Sequence, residues 1–281
     1  MDRLSNEQSR RNIEADAAWT LYEPHRRRVT QLLINARSQS STATRLCLLG
    51  AGNLNDFDLT LLMSLFTELV VVDVDVHSLE RGLARQGFSK DPRIQVVAPA
   101  DVSGIFAELS SISPGQPANA ELIERCLMTL QQPPTLSSIG TCDVVASVGV
   151  MTQLIDAVVK SVGESHHRFW DVVSAIRLQH LLLMLQLTRG NGAAVLVTEV
   201  VSSNSCPSLL SVNEADLGAL LMKEIAARNF FTGTNPAALQ QLLQTEPRLV
   251  SQLSRIEFSS PWLWQFIART YAVYGVVLRK T

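Results

Sequence analysis

Apolar and helical patterns alternate along most of the chain. Short β-type runs occur at 45–49, 69–73, 94–98, 143–148 and 195–201. Helical periodicity fills the gaps at about 56–66, 78–86, 119–131 and 165–189. Strands that are apolar throughout and separated by helices predict a parallel sheet covered on both faces. Two helices are expected ahead of it. Ser5 followed by Gln8 fits a capping box, and Pro24 suits the first turn of a second helix with the apolar stripe Val29, Leu32, Leu33 and Ala36. "SQSST" at 38–42 reads as a linker, so residues 1–40 are expected to form a helical cap or lid and 41–281 the main domain. "SSISPGQPANA" and Pro133-Pro134 mark irregular connections.

After the fifth run the rhythm changes. Helical stretches are expected from about Asn213 to Asn229 and Pro236 to Leu253, followed by "RIEF" and "TYAVYGVVLRK". The last run has no room behind it for a crossover helix, so it is expected to pair antiparallel at the sheet edge. The fold class predicted is a doubly wound α/β protein: seven strands, mainly parallel, with a terminal antiparallel strand and N-terminal helices.

Composition narrows the function. With 281 residues, 46% hydrophobic and 18% charged, the chain supports a sizeable core and is not disordered. A net charge of −2 supplies no field to attract nucleic acid or an anionic membrane. No apolar run has membrane-spanning length, and the first residues are too polar for a signal peptide. The scattered Cys47, Cys126, Cys142 and Cys206 read as reduced thiols of a cytoplasmic protein, without a metal site.

The chemistry concentrates in "RLCLLGAGNLNDFDLTLLMSLFTELVVVDVDVHSLERGL", residues 45–83. A dinucleotide site wants G-x-G-x-x-G with pyrophosphate on the following helix N-terminus. Gly50 and Gly52 fit, but Asn55 replaces the third glycine, and Asp56 and Asp58 are expected in the first helical turn, where they would repel a pyrophosphate. A ligand with a sulfonium and an ammonium tolerates those acids.

"LCLLGAGNLND" followed by "LVVVDVD" resembles motifs I and II of the class I (Rossmann-like) S-adenosylmethionine-dependent methyltransferases, nearest in flavour to a bacterial group of undefined substrate with a GAGN-x-ND loop. The resemblance spans about residues 45 to 200, four motifs in order, and departs from the family at Leu54, where the loop usually has its third glycine. It implies S-adenosylmethionine as cofactor. Gly50, Ala51, Gly52 and Asn53 would lie along its methionine part, Asp73 would accept both ribose hydroxyls with Val74 beside it, and Asp101 would meet the adenine amino group with Val102 adjacent. The fourth strand would bring Ser147 and Val148 to the cofactor, and the fifth would end at Glu199. Asp101 also reads as a simple capping acid of "DVSGIF".

Methyl transfer needs alignment, exclusion of water and, for some nucleophiles, a proton acceptor, so no fixed catalytic pattern is required. "WTLYEPHRRR" offers Trp19, Tyr22, His25 and Arg26 as substrate contacts, the alternative being an amphipathic helix with packed aromatics. His180 and Tyr22 are the candidate catalytic groups, although a lone histidine beside Leu181–Leu185 also reads as a packing residue. Trp262, Trp264 and Tyr271 read as core, in a region that lines acceptor pockets in the family. The expected partner is a small-molecule methyl acceptor, with no nucleic acid and no membrane. Two other functions compete: an NAD(P)-dependent oxidoreductase, opposed by Asn55, Asp56 and Asp58, and a non-catalytic binding protein, kept open by Leu54. The acceptor's identity and the oligomeric state are not encoded in these patterns.

Overall fold

Two helices open the chain, α1 (Arg3–Glu14) and α2 (Glu23–Ala36). The alternating region comprises β1 (Arg45–Leu49), α3 (Leu59–Leu65), β2 (Glu68–Val72), α4 (Val76–Arg85), β3 (Ile94–Val97), α5 (Phe106–Ser110), α6 (Ala120–Thr129) and β4 (Cys142–Val148). Two consecutive helices, α7 (Val150–Val162) and α8 (Phe169–Leu187), lead to β5 (Thr188–Ser202). The tail adds α9 (Glu214–Ala226), α10 (Pro236–Thr245), α11 (Pro247–Val250), β6 (Leu253–Phe258), β7 (Trp262–Phe266) and β8 (Arg269–Lys280). This is a computed structural model, and it describes residues 3–37, 44–112 and 118–281. The linker "SQSST" and the centre of "SSISPGQPANA" lie outside those residues.

The strands form one sheet in the order β3-β2-β1-β4-β5-β8-β6, with β7 also paired to β8. β1 to β5 are parallel, as in Leu46↔Leu69 and Leu46↔Val144, and β8 runs antiparallel to β5. Alternate residues of each inner strand feed two separate cores. Leu46, Leu48, Val144 and Ala146 pack with α2, α3 and α4. Cys47, Leu49 and Val145 pack with α5 to α8 on the other face. That two-sided burial explains why these strands read as unbroken apolar runs.

The tail refines the seven-strand outline. β6 pairs with the C-terminal half of β8 and β7 with its N-terminal half. They are two halves of one edge strand, broken at Ser259–Pro261, where proline has no N–H to give a ladder.

Three local expectations are corrected. Helix α1 begins at Arg3, so Ser5 lies within its first turn and is not its cap. Helix α3 begins only at Leu59 and is capped by Asp58, whose side chain accepts from Leu61 N–H at 3.0 Å. Asp56 therefore sits in an extra turn ahead of the helix. Helix α7, absent from the periodic pattern, follows β4 directly. Its apolar residues Met151, Leu154, Ile155 and Val158 are buried on a broad face, which merges with the strand run in sequence.

The two N-terminal helices do different work. α2 buries Val29 and Leu33 completely against the sheet, at about 2 kcal/mol each. α1 buries Leu4 in the core and is otherwise held by polar contacts: Arg3 donates to Leu109 O and Ser161 Oγ, Arg11 pairs with Asp156, and Glu7 with Lys160. Deleting residues 1–14 is expected to leave a folded, monodisperse core. Deleting residues 1–40 is expected to give an aggregated or molten product, because the α2 stripe no longer covers the sheet. Gel filtration and near-ultraviolet circular dichroism of the two truncations check this.

Candidate functional site

The sheet order reverses at β1, which has β2 on one side and β4 on the other. Chains leaving the carboxyl ends of those strands diverge to opposite faces and leave a crevice between them. Here it is a cleft of about 880 Å³.

The glycine loop lines its floor. Gly50 has φ +61, and a Cβ there would come within 2.4 Å of Val150 Cγ2, so only glycine fits. Ala51 N–H donates to Val72 O at 3.0 Å. Gly52 N–H donates to Asp73 Oδ2 at 2.7 Å, and Asp75 N–H donates to Asp73 Oδ1 at 2.9 Å. Asp73 thus joins the β1 loop to the end of β2. Burial pushes its carboxyl up to about 6, against the opposing effect of those amides.

Leu54 takes the left-handed backbone that a glycine would take, with φ +59, and its side chain is fully buried. The neighbouring helix makes room. A Cβ on Gly82 of α4 would lie 2.3 Å from Asn53 O and 3.0 Å from Leu54 Cβ. The glycine missing from the loop is matched by one on the helix that packs against it.

Gly50, Ala51, Gly52, Asn53, Asp73, Val74, Asp101, Val102 and Val148 all line the cleft. Asp101 does so while capping its loop, accepting from Ser103 N–H at 2.8 Å and Phe106 N–H at 2.9 Å. Ser147 does not reach it. That side chain points to the opposite core and lies 2.7 Å from His180 Nε2. His180 is fully buried, and burial pushes it down to about 4, so it is a neutral packing residue away from the cleft.

The N-terminal candidates separate. Tyr22 is buried yet lines the cleft, and burial holds its phenol protonated. Trp19 and Arg26 face a second, smaller pocket outside the glycine loop. There the Arg26 guanidinium stacks 3.5 Å from the Trp19 ring and donates to Asn55 O. His25 sits behind the cleft wall. Its Nδ1 accepts from Trp262 Nε1 at 3.1 Å, and its Nε2 lies 3.2 Å from Asp56 Oδ1, within ion-pair reach but off the hydrogen-bond line. Helix α1 closes the opening from above: Asn53 Nδ2 donates to Asn12 O, and Asn12 Nδ2 reaches Asp75 at 3.5 Å.

The end of the cleft nearest β5 is lined by groups whose meeting there is not evident from sequence. Glu199, Asp56, Trp264, Phe266 and Tyr271 face it together with Tyr22. Glu199 sits at a β-bulge against β8, and the Thr152 hydroxyl donates to its Oε2. Burial pushes its carboxyl up to about 7. The signal available was the alternation "WLWQF", which puts Trp262, Trp264 and Phe266 on one side of β7.

A parallel sheet reversing at β1, an antiparallel strand inserted between β5 and the edge, a glycine loop after β1 and an acid closing β2 define the fold of the class I S-adenosylmethionine-dependent methyltransferases. The sequence matches no known family profile and no curated protein. Solved structures similar to the chain include a Methanococcus maripaludis protein assigned to the S-adenosyl-L-methionine-dependent methyltransferases, at 15% identity and TM-score 0.47, covering 100% of this chain and 95% of that one. An O-methyltransferase family protein from Burkholderia thailandensis is 12% identical, with TM-score 0.46 and coverage of 96% and 59%. The methyltransferase domain of a bacterial Hen1 protein is 13% identical, with TM-score 0.44 and coverage of 90% and 97%. The fold assignment rests on the chain's own strand order and register. Among the described residues, no helix is long and apolar enough to cross a membrane.

Both perturbed acids bind a proton more tightly folded than unfolded. Their contribution to stability is therefore whole below about pH 4 and is lost as pH rises through about 6 for Asp73 and about 7 for Glu199. Glu199→Gln, which cannot ionise, is expected to be more stable than the parent at pH 8 by on the order of 2 kcal/mol, and nearly equal to it at pH 4.5. Urea denaturation of both proteins at the two pH values checks this; an equal difference at both would remove the buried-acid assignment.

Proposed function

We propose that the protein is an S-adenosylmethionine-dependent methyltransferase acting on a small-molecule acceptor. The observation that carries this reading is the Asp73 carboxylate at the end of β2, bonded to the glycine loop and lining the same cleft. The donor set suits that cofactor. The cleft's strand-end groups are carboxylates, which accept from hydroxyls and an amino group and attract cations, and they oppose a pyrophosphate. Asp73 would take the ribose hydroxyls with Val74 beside it, and Asp101 with Val102 the adenine edge. Gly50 to Asn53 would run along the methionine part, with Val148 opposite. A charge-assisted bond of the Asp73 kind is worth about 1.5–3 kcal/mol.

S-adenosylmethionine supplies an electrophilic methyl on a sulfonium, whose carbon–sulfur electron pair stays with sulfur. The chain has to bind it, orient the acceptor and exclude water. Helix α1, whose Glu7, Arg11 and Asn12 line the mouth of the cleft, acts as the lid. The described part of the N-terminal segment, residues 3–37, therefore combines a lid in α1 with a structural layer in α2.

Isothermal titration calorimetry tests the reading. S-adenosylhomocysteine is expected to bind saturably and NAD and NADP not at all. Asp73→Asn is expected to lose about 10- to 100-fold in affinity, or roughly 1.4–2.8 kcal/mol, with an unchanged circular dichroism spectrum. Saturable NAD binding, or full affinity in the variant, would overturn the cofactor assignment.

A further inference from the structure

The cleft extends past the glycine loop to an end with its own chemistry, and the role assigned to that end rests on the methyltransferase reading. Four rings wall it. Trp264 packs against Tyr22 at 5.4 Å, Phe266 at 5.4 Å and Tyr271 at 5.3 Å between centroids. Two carboxylates, Glu199 and Asp56, face the same space. Among the described residues no Lys or Arg lies within ion-pair distance of Glu199, and Arg11, whose positive charge acts on it, is committed to Glu7 and Asp156. The Trp264 indole N–H is buried with no acceptor among the described residues, so the wall also keeps an unmet polar atom.

We propose that this end binds the methyl acceptor as a compact amine, held as its ammonium between the aromatic rings and the Glu199 and Asp56 carboxylates, and that Glu199 takes the proton that frees the nitrogen lone pair. Each class of acceptor meets these walls differently. A carboxylate or phosphate would face two acids: Arg11 and Arg269 line the same cleft, but among the described residues no Lys or Arg is within ion-pair distance of Glu199 or Asp56. A neutral alcohol brings no charge to hold Glu199 ionised, so the buried acid keeps a proton and the charge attraction is lost. A cation is attracted both by the ring faces and by the carboxylates.

An ammonium has no lone pair and cannot accept a methyl. Its N–H proton passes to a Glu199 oxygen, and the nitrogen becomes a neutral amine. As the new carbon–nitrogen bond forms, the nitrogen regains its positive charge, and the proton on Glu199 passes to solvent. The balance is one ammonium and one sulfonium in, one methylated ammonium, one neutral thioether and one proton out. The raised proton affinity of Glu199 suits it to receive that proton. The charged and titratable groups that act on it are Asp56 from the loop after β1, Arg11 from α1, Tyr22 ahead of α2 and Tyr274 from β8, with His25 reached through Asp56. Tyr22 and Tyr274 are held protonated by burial, so neither changes charge near neutrality.

The test uses the full chain and three probes of like shape: 2-phenylethylamine, 2-phenylethanol and 3-phenylpropionate. Each is titrated by tryptophan fluorescence and calorimetry in the presence of S-adenosylhomocysteine, whose own binding is measured first. The amine is expected to bind at least tenfold tighter than the alcohol, and the carboxylate not to bind. Amine affinity is expected to rise between pH 5.5 and 7.5 in the parent. Glu199→Gln should lose at least tenfold in amine affinity and the pH dependence, while keeping its S-adenosylhomocysteine affinity; Asp56→Asn should lose a smaller factor. If S-adenosylhomocysteine binds but the alcohol or carboxylate equals the amine, or both variants bind the amine as the parent does, the acceptor proposal falls and the cofactor reading stands. If S-adenosylhomocysteine does not bind, the cofactor reading falls and takes the acceptor role with it.

Discussion

The 2.7 Å bond from Gly52 N–H to the Asp73 carboxylate organises one side of this molecule. Loops after adjacent parallel strands have no ladder of their own, so their amides must be satisfied elsewhere. Asp73 meets two of them, from Gly52 and Asp75, and so fixes both the glycine loop and the entry to α4. Asp75 in turn caps α4 through Ser78 N–H and receives Asn12 from α1. One buried carboxylate thereby links β1, β2, α4 and α1. Both of its oxygens accept main-chain bonds, so the shape of the loop is fixed by the chain itself.

The same loop shows how a departure from a motif is accommodated. A leucine at φ +59 is a strained choice. Its side chain, however, is fully buried in the core shared with α2, α3 and α4, and that burial offsets the strain. The steric requirement then moves to Gly82, where any side chain would strike Asn53 O. Gln86 completes the arrangement by donating to Leu54 O and Phe57 O, so the extra turn before α3 has its carbonyls satisfied.

The fold was legible because parallel strands buried on both faces leave continuous apolar runs, and the glycine loop and Asp73 sit at fixed places relative to them. Asp101 lines the cleft, and its role as a loop cap was readable from "DVSGIF". Ser147 and His180 were not separable from site residues in sequence. A strand end contributes side chains to both faces, and only the register of β4 against β1 decides which face Ser147 takes. Trp19, His25 and Arg26 share the sequence neighbourhood of Tyr22, but the turn from Asp16 to Tyr22 sends only Tyr22 into the cleft. The pairing of Glu199 with Asp56 joins residues more than a hundred positions apart, and no local pattern carries such a contact.

Stability alone does not account for the acids at the far end. Burying Glu199 with a threonine hydroxyl and its own main-chain amide as donors leaves most of its desolvation unrelieved, which is why its proton is held to about pH 7. A glutamine or an aliphatic side chain at the end of β5 would leave the sheet pairing intact and remove that cost. The rest of the molecule does not tolerate such groups freely. Asp143 at the start of β4, equally buried, is paired with Arg189 and accepts from Arg45 N–H. His180 is held neutral beside Ser147. Uncompensated acid is thus placed where the cleft opens between aromatic rings, so the residue that weakens folding is also the one positioned to meet a ligand's charge.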